Sequence, residues 1–195
     1  WLRLQRFRQP VEVLPDPENV SFGYGMGQNG WLMRWNRETG EERIIQPVKT
    51  TDQSANLRFN WNAGFAINPH DANIIYLGSQ YVHRSMDKGD SWEIISKDLT
   101  TNNPDQQKQA ESGGLTRDNT GAENYNTISS IGPSGLNENI IWVGTDDGRM
   151  HITSDGGESW VDITGNIPRD ARGAYINHIE ASSYDESVAF VAMND

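Results

Sequence analysis

The chain predicts an all-β fold: a segment of a β-propeller made of four-stranded blades, about three complete and part of a fourth. Two observations carry this. The first is a pair of short motifs, Ser85-Met86-Asp87-Lys88-Gly89-Asp90-Ser91-Trp92 and Thr153-Ser154-Asp155-Gly156-Gly157-Glu158-Ser159-Trp160, both of the form (S/T)-x-D-x-G-x-S-W. The Asp caps its own turn, the Gly tolerates positive φ, and the Trp opens the next strand with a large apolar face. Each copy is a clasp between two strands. The second observation is that the repeat is longer than the clasp. Asn73-Ile74-Ile75-Tyr76-Leu77-Gly78-Ser79 precedes the first copy, and Asn139-Ile140-Ile141-Trp142-Val143-Gly144-Thr145 precedes the second. A weaker copy runs from Asn19 through Trp35, with Asn36-Arg37-Glu38-Thr39-Gly40 where the clasp would be. A fourth begins at Asp185. Several short strands per unit, at a period of roughly 50–65 residues, read as propeller blades.

The best-formed unit predicts strands at Thr127 to Ile131, Ile140 to Gly144, Arg149 to Thr153 and Trp160 to Ile163. The preceding unit predicts them at Trp61 to Ile67, Ile74 to Gly78, Tyr81 to Arg84 and Trp92 to Ile95. β-Branched and aromatic residues fill these runs, and Gly, Pro, Asn and Asp separate them. Blades are expected over about 10–50, 58–97, 125–165 and, incomplete, 174–195. Between the second and third lies a connection over 98–124. In it Asn103-Pro104 reads as a helix cap with Pro at the first position, and Gly113-Gly114 as a stop. A short surface helix is expected from Pro104 to Glu111.

The clasps resemble the Asp-box of BNR-repeat β-propellers. In that reading Ser85, Asp87, Gly89 and Trp92, and Thr153, Asp155, Gly157 and Trp160, are structural. The stretch from Asn60 to Asn166 is similar to the bacterial relatives of the sortilin/VPS10 propeller, often labelled glycosyl hydrolase BNR repeat. The strings that carry the likeness include Asn68-Pro69-His70-Asp71, Ser96-Lys97-Asp98-Leu99-Thr100-Thr101-Asn102 and Ser112-Gly113-Gly114-Leu115-Thr116-Arg117-Asp118-Asn119-Thr120. The resemblance implies a multi-blade protein outside the cytoplasm, secreted, periplasmic or at the cell surface. It places ligands on the face opposite the clasps. Sialidases of this fold carry an arginine triad and an F-R-I-P-type segment, and neither is recognisable here.

Composition narrows the partners. A net charge of −11 over 195 residues opposes nucleic acid and anionic membrane surfaces. No apolar run approaches the ~18 residues of a membrane span. With no cysteine the redox compartment is unreadable. Three blades and part of a fourth leave raw strand edges, so the remaining blades of the same polypeptide or another chain are the expected partners.

Several motifs are weighed and set aside. Gly25-Met26-Gly27-Gln28-Asn29-Gly30 matches G-x-G-x-x-G, but an aromatic strand follows where a dinucleotide site needs a helix, so a turn is expected. His70, His83, His151 and His178 have no metal-ligand spacing. The first three read as satisfied structural histidines, and His178 sits on a first strand that lines the channel. Asp146-Asp147-Gly148 falls short of a calcium loop, and no metal or cofactor is predicted.

In a four-stranded blade the third-to-fourth turns lie on one face. The second-to-third turns and the blade-to-blade connections lie on the other. Polar residues on that second face give the site candidates: Arg58, Trp61, Arg117, Asp118, Tyr125 and His178 for binding, and Glu123, Asp146 and Asp147 as carboxylates. Carboxylates near aromatics and an arginine suit a glycan or peptide. Three functions stay open. One is a module binding a peptide, protein or glycan through its loop face. The second is a glycoside hydrolase pairing Glu123 with Asp146 or Asp147, and the third is a structural or assembly subunit.

Overall fold

A computed structural model of the chain describes residues 12–48, 56–108 and 124–194, and in it the apolar runs form antiparallel sheets with strands in chain order. The first holds β1 (Glu12–Pro15), β2 (Phe22–Met26), β3 (Leu32–Asn36) and β4 (Glu42–Ile44). The second holds β5 (Phe65–Ile67), β6 (Ile75–Gly78), β7 (Val82–Ser85) and β8 (Glu93–Ile94). The third holds β9 (Ile128–Pro133), β10 (Ile141–Thr145), β11 (Met150–Thr153) and β12 (Val161–Asp162). The fourth is two-stranded, β13 (Tyr175–Ala181) with β14 (Ala189–Asn194). These are successive propeller blades.

The pleat explains how they stack. Along β6, Ile75 and Leu77 pack with Tyr24, Met26 and Leu32 of the first sheet, while Tyr76 turns the other way and packs with Ile128, Ile141 and Val143 of the third. β10 repeats the pattern: Ile141 and Val143 point back, and Trp142 packs forward with Ile176 and Ile179 of β13. Each seam is thus a sheet-on-sheet core of alternating residues. The inner strands approach closely enough that a Cβ on Gly64 would lie 2.9 Å from the backbone of Ser130. That is tighter than a side chain accepts.

The clasps are local hydrogen-bond units. Asp87 accepts from the Ser91 amide at 2.8 Å and the Ser91 hydroxyl at 2.6 Å, and the Ser85 hydroxyl accepts from the Gly89 amide at 2.7 Å. Asp155 accepts from the Ser159 amide at 2.9 Å, and Thr153 from the Gly157 amide at 2.9 Å. Each clasp also grips the preceding blade. The Trp92 indole donates to the Ile45 carbonyl at 2.6 Å, and the Trp160 indole to the Ile95 carbonyl at 2.7 Å. From the other side, Arg34 on β3 donates to the Lys88 carbonyl at 2.8 Å, and Arg84 on β7 to the Gly156 carbonyl at 2.9 Å. The corresponding residue on β11 is Ile152, and the Ile163 carbonyl there accepts from the Asn166 amide at 2.9 Å. The third blade therefore presents a different seam to the two-stranded sheet beyond it.

Three expectations change. The helix expected from Pro104 is a 3-10 turn, Pro104–Gln106, capped as foreseen by Asn103, whose side chain accepts from the Asp105 amide; residues 109–111 lie outside the described residues. None of the turn's residues is buried, so no apolar face holds a longer helix in place. The strand expected from Trp61 begins only at Phe65, because 61–62 form a turn. His83 is satisfied by Ser79 Oγ at 2.8 Å, but the buried Nδ1 of His151 has no hydrogen-bond partner among the described residues. Of the Gly25–Gly30 segment, Gly25 and Met26 end β2, and the expected turn is confined to Gly27–Gly30, with Asn29 and Gly30 at positive φ before β3. Among the described residues no helix is long and apolar enough to cross a membrane.

Candidate functional site

β11 carries a clasp at one end and the Asp146-Asp147-Gly148 turn at the other, so the two features face opposite sides of the blade. On the turn side lies an open cavity of about 720 Å³. Its walls come from the segment before β5 (Asn62), the segment before β9 (Tyr125), the β10–β11 turn (Asp146), and the segment that runs through Arg172 and Gly173 into β13. Asn177 and Asn194 complete it from the paired strands β13 and β14. Gly148 sits at φ 75°, and a Cβ on it would lie 2.5 Å from the Gly173 Cα. The missing side chain lets the segment that delivers Tyr175 close onto the turn that delivers Asp146.

Both turn carboxylates are buried, Asp146 at 1% exposure and Asp147 at 8%. Asp146 Oδ1 accepts from the Thr127 amide at 2.9 Å; its Oδ2 accepts from Asn60 Nδ2 at 3.0 Å and from the Thr127 hydroxyl. Burial pushes the Asp146 carboxyl up to about 6 against those donors. Asp147 accepts from the Thr101 amide and hydroxyl, from Asn126 Nδ2 and from the Thr145 hydroxyl, at 2.8, 2.7, 2.8 and 2.5 Å. Thr101 lies on the 98–108 stretch, Asn126 ahead of β9 and Thr145 at the end of β10, so Asp147 ties that connection to the blade.

The other candidates divide. Tyr125 lines the cavity, and its hydroxyl donates to the Asp146 carbonyl at 3.1 Å. Trp61 stands 39% exposed between Asn60 and Asn62. Arg58 is engaged: it pairs with Asp98 at 2.9 Å and donates to the Asn126 carbonyl at 3.3 Å, bracing the connection. His178 lies exposed on β13, 3.5 Å from Glu180, and is not part of the cavity wall. Arg117, Asp118 and Glu123 lie outside the described residues. Among those described, no group of three or more His, Asp or Glu side chains is placed to hold a metal.

Sequence reasoning missed Asn60, Asn62, Arg172, Tyr175, Asn177 and Asn194. Asn60 is central. Its Nδ2 donates to Asp146 and, at 2.9 Å, to Thr127 Oγ1, and its Oδ1 accepts from the Tyr175 hydroxyl at 2.9 Å and the Asn62 amide at 2.9 Å. One carboxamide thereby links three successive blades. The available signal is an Asn-aromatic-Asn string ahead of two inner strands, Asn60-Trp61-Asn62 and Asn124-Tyr125-Asn126.

Comparison with known proteins supports the fold. No family profile matches the chain, and no curated protein matches it in sequence. Among solved structures it is similar to an ancestral GH74 enzyme, at 16% identity and a TM-score of 0.59, over 94% of this chain and 21% of that one. The GH74 xyloglucanase of Xanthomonas campestris gives 20% and 0.57, over 94% of this chain and 26% of that one. The extracellular domain of a protein assigned as a one-component system in B. thetaiotaomicron gives 15% and 0.57, over 95% and 20%. The chain therefore spans about a quarter or less of each of these neighbours. At such identities the likeness establishes the class, a β-propeller.

Proposed function

We propose that the chain is part of an extracytoplasmic, Asp-box propeller of the bacterial sortilin/VPS10-like kind, and that its loop face binds a neutral glycan. One observation carries the ligand class. The cavity is walled by the side chains of Asn62, Asn177 and Asn194, all exposed and none bonded to another side chain among the described residues, beside Tyr125 and Tyr175. A carboxamide offers a donor and an acceptor together, which suits paired sugar hydroxyls, and tyrosine adds a ring to pack on a pyranose face. The single carboxylate in the wall is already held by Asn60 and Thr127. The cavity thus offers little charge to a cationic peptide. GH74 enzymes among the structural neighbours, one of them a xyloglucanase, are in keeping with a saccharide.

The hydrolase reading has Asp146 in its favour, a carboxyl lifted towards neutrality in a cavity wall. It lacks a second carboxylate in that wall among the described residues, and the Asp147 oxygens are taken up by Thr101, Asn126 and Thr145. Reducing-end release from neutral polysaccharides separates the two readings.

The test of binding is calorimetric titration with neutral oligosaccharides. Replacing both Asn62 and Asn177 by Ala weakens binding roughly ten- to hundredfold, two lost hydrogen bonds at ~1 kcal/mol or more each, with the thermal midpoint unchanged. Unaltered affinity in the double variant, or no affinity of the parent protein for any neutral glycan, overturns the proposal.

A further inference from the structure

We infer that Arg172 makes this cavity selective for sugars that carry an acetamido group: its guanidinium binds the acyl carbonyl oxygen, and a wall carboxamide accepts from the amide N–H. The inference deepens the glycan-binding reading above and rests on it.

Arg172 is built into the wall. The chain between β12 and β13 makes two 3-10 turns, Thr164–Asn166 and Arg169–Ala171, and Arg172 follows the second. Its Nε donates to the Ile167 carbonyl at 3.1 Å, and one terminal nitrogen, Nη2, donates to the Gly165 carbonyl at 2.7 Å. These bonds hold the guanidinium plane against the first turn. Next in the chain, Gly173 lies against Gly148, so the same stretch is fixed to the turn that carries Asp146. The other terminal nitrogen, Nη1, has no hydrogen-bond or ion-pair partner among the described residues. A guanidinium has five N–H donors and no acceptor. Arg172 therefore presents spare donors, in an oriented plane, from an exposed position in the cavity wall.

The rest of the wall decides what those donors meet. The Asn62, Asn177 and Asn194 carboxamides match donors to acceptors evenly and suit sugar hydroxyls, which do the same. The Tyr125 and Tyr175 hydroxyls already donate within the protein, to the Asp146 carbonyl and to Asn60 Oδ1. Arg172 leaves the wall with more donors than acceptors, so it calls for a ligand oxygen that brings no hydrogen of its own. The ether oxygens of a sugar are weak acceptors. A carboxylate is a strong one, but the Asp146 carboxylate shares the wall and the chain carries a net charge of −11, and both oppose an anion. An acyl carbonyl is the neutral group that fits, and it is the kind of acceptor that Nε and Nη2 already hold. The N–H of the same acetamido group needs an acceptor, which the Asn Oδ1 atoms of the wall supply.

The experiment is calorimetric titration with chitotetraose, cellotetraose and the oligoglucuronate of the same length and linkage. Each of the other two differs from cellotetraose in one substituent per ring. Chitotetraose binds about tenfold tighter than cellotetraose, the worth of one hydrogen bond to a charged donor. Arg172→Met removes that preference, so chitotetraose falls to the level of cellotetraose. Arg172→Lys keeps the charge and a donor without the oriented plane; its preference is intermediate, and it carries the test should the Met variant fail to fold. Equal affinity of the parent for chitotetraose and cellotetraose overturns the inference and leaves the glycan reading standing. So does tightest binding of the glucuronate, which makes Arg172 a carboxylate site. A variant that loses affinity for both neutral sugars in equal proportion, with the preference intact, makes Arg172 a brace of the wall and also overturns the inference. No affinity of the parent for these or any other neutral glycan overturns the glycan reading itself.

Discussion

Lys88 shows how much one clasp position carries. It sits at φ 57°, where a Gly stands in the next clasp. Its ammonium reaches back to the preceding blade to pair with the fully buried carboxylate of Asp16, and also donates to the Ala72 carbonyl of its own blade at 3.2 Å. The strained backbone is offset by that buried pair. Lys88→Ala strands the Asp16 charge and lowers the unfolding free energy by about 3 kcal/mol in denaturant titrations. Lys88→Gly loses ~1 kcal/mol less, because glycine accepts the conformation. Adding Asp16→Asn to Lys88→Ala recovers much of the loss. A cost under ~1 kcal/mol for Lys88→Ala shows that the pair does not hold the seam.

At the level of the element, the clasp is where sequence and structure agree most directly. Its bonds join residues two to four apart, as in Asp155 to Ser159 and Thr153 to Gly157, so the motif alone specifies the turn. Those bonds, led by the Ser159 hydroxyl, hold Asp155 down to about 2. The grip on the neighbouring blade is less legible. Trp160 reaches the Ile95 carbonyl across 65 positions, and only the fold brings them together. The 3-10 turn at Pro104 shows the converse: a cap read correctly starts a helix, but nothing apolar packs against it to extend it. Trp160→Phe keeps most of the ring burial and strands the Ile95 carbonyl, so it costs about 1–3 kcal/mol. Amide hydrogen exchange in β12 rises with it. If β12 stays as protected as in the parent, the indole bond is dispensable.

Two buried groups oppose each other across the whole molecule in mild acid. Burial lowers His83 to about 4 from an ordinary 6.5, so the unfolded chain takes up that proton first and stability falls as pH drops from 6.5 to 4. Asp146 is raised from 3.8 to about 6, so the folded chain takes up that proton first and stability rises as pH drops over that interval. Each is worth about 3 kcal/mol at ~1.4 kcal/mol per unit, and they nearly cancel. Asp146→Asn leaves His83 unopposed, so that variant loses about 3 kcal/mol more than the parent between pH 7 and 4 in urea titrations. Parallel pH profiles for the two proteins contradict the burial assigned to Asp146.

The site was less legible than the blades for the same reason at larger range. Tyr125 and Asp146 were reachable because the four-stranded unit predicts which turns share a face. Asn60 and Tyr175, 115 positions apart, meet only because successive inner strands start at one rim of the propeller. Nothing in either local sequence marks them as partners. The central claim is that this rim is the binding surface. It is tested most directly by mapping backbone and side-chain amide shifts while neutral oligosaccharides are added. The account predicts shifts at Asn62, Asn177 and Asn194, with the clasp residues Ser91 and Ser159 on the opposite face silent. Shifts confined to the clasp face, or none with any saccharide, would contradict it.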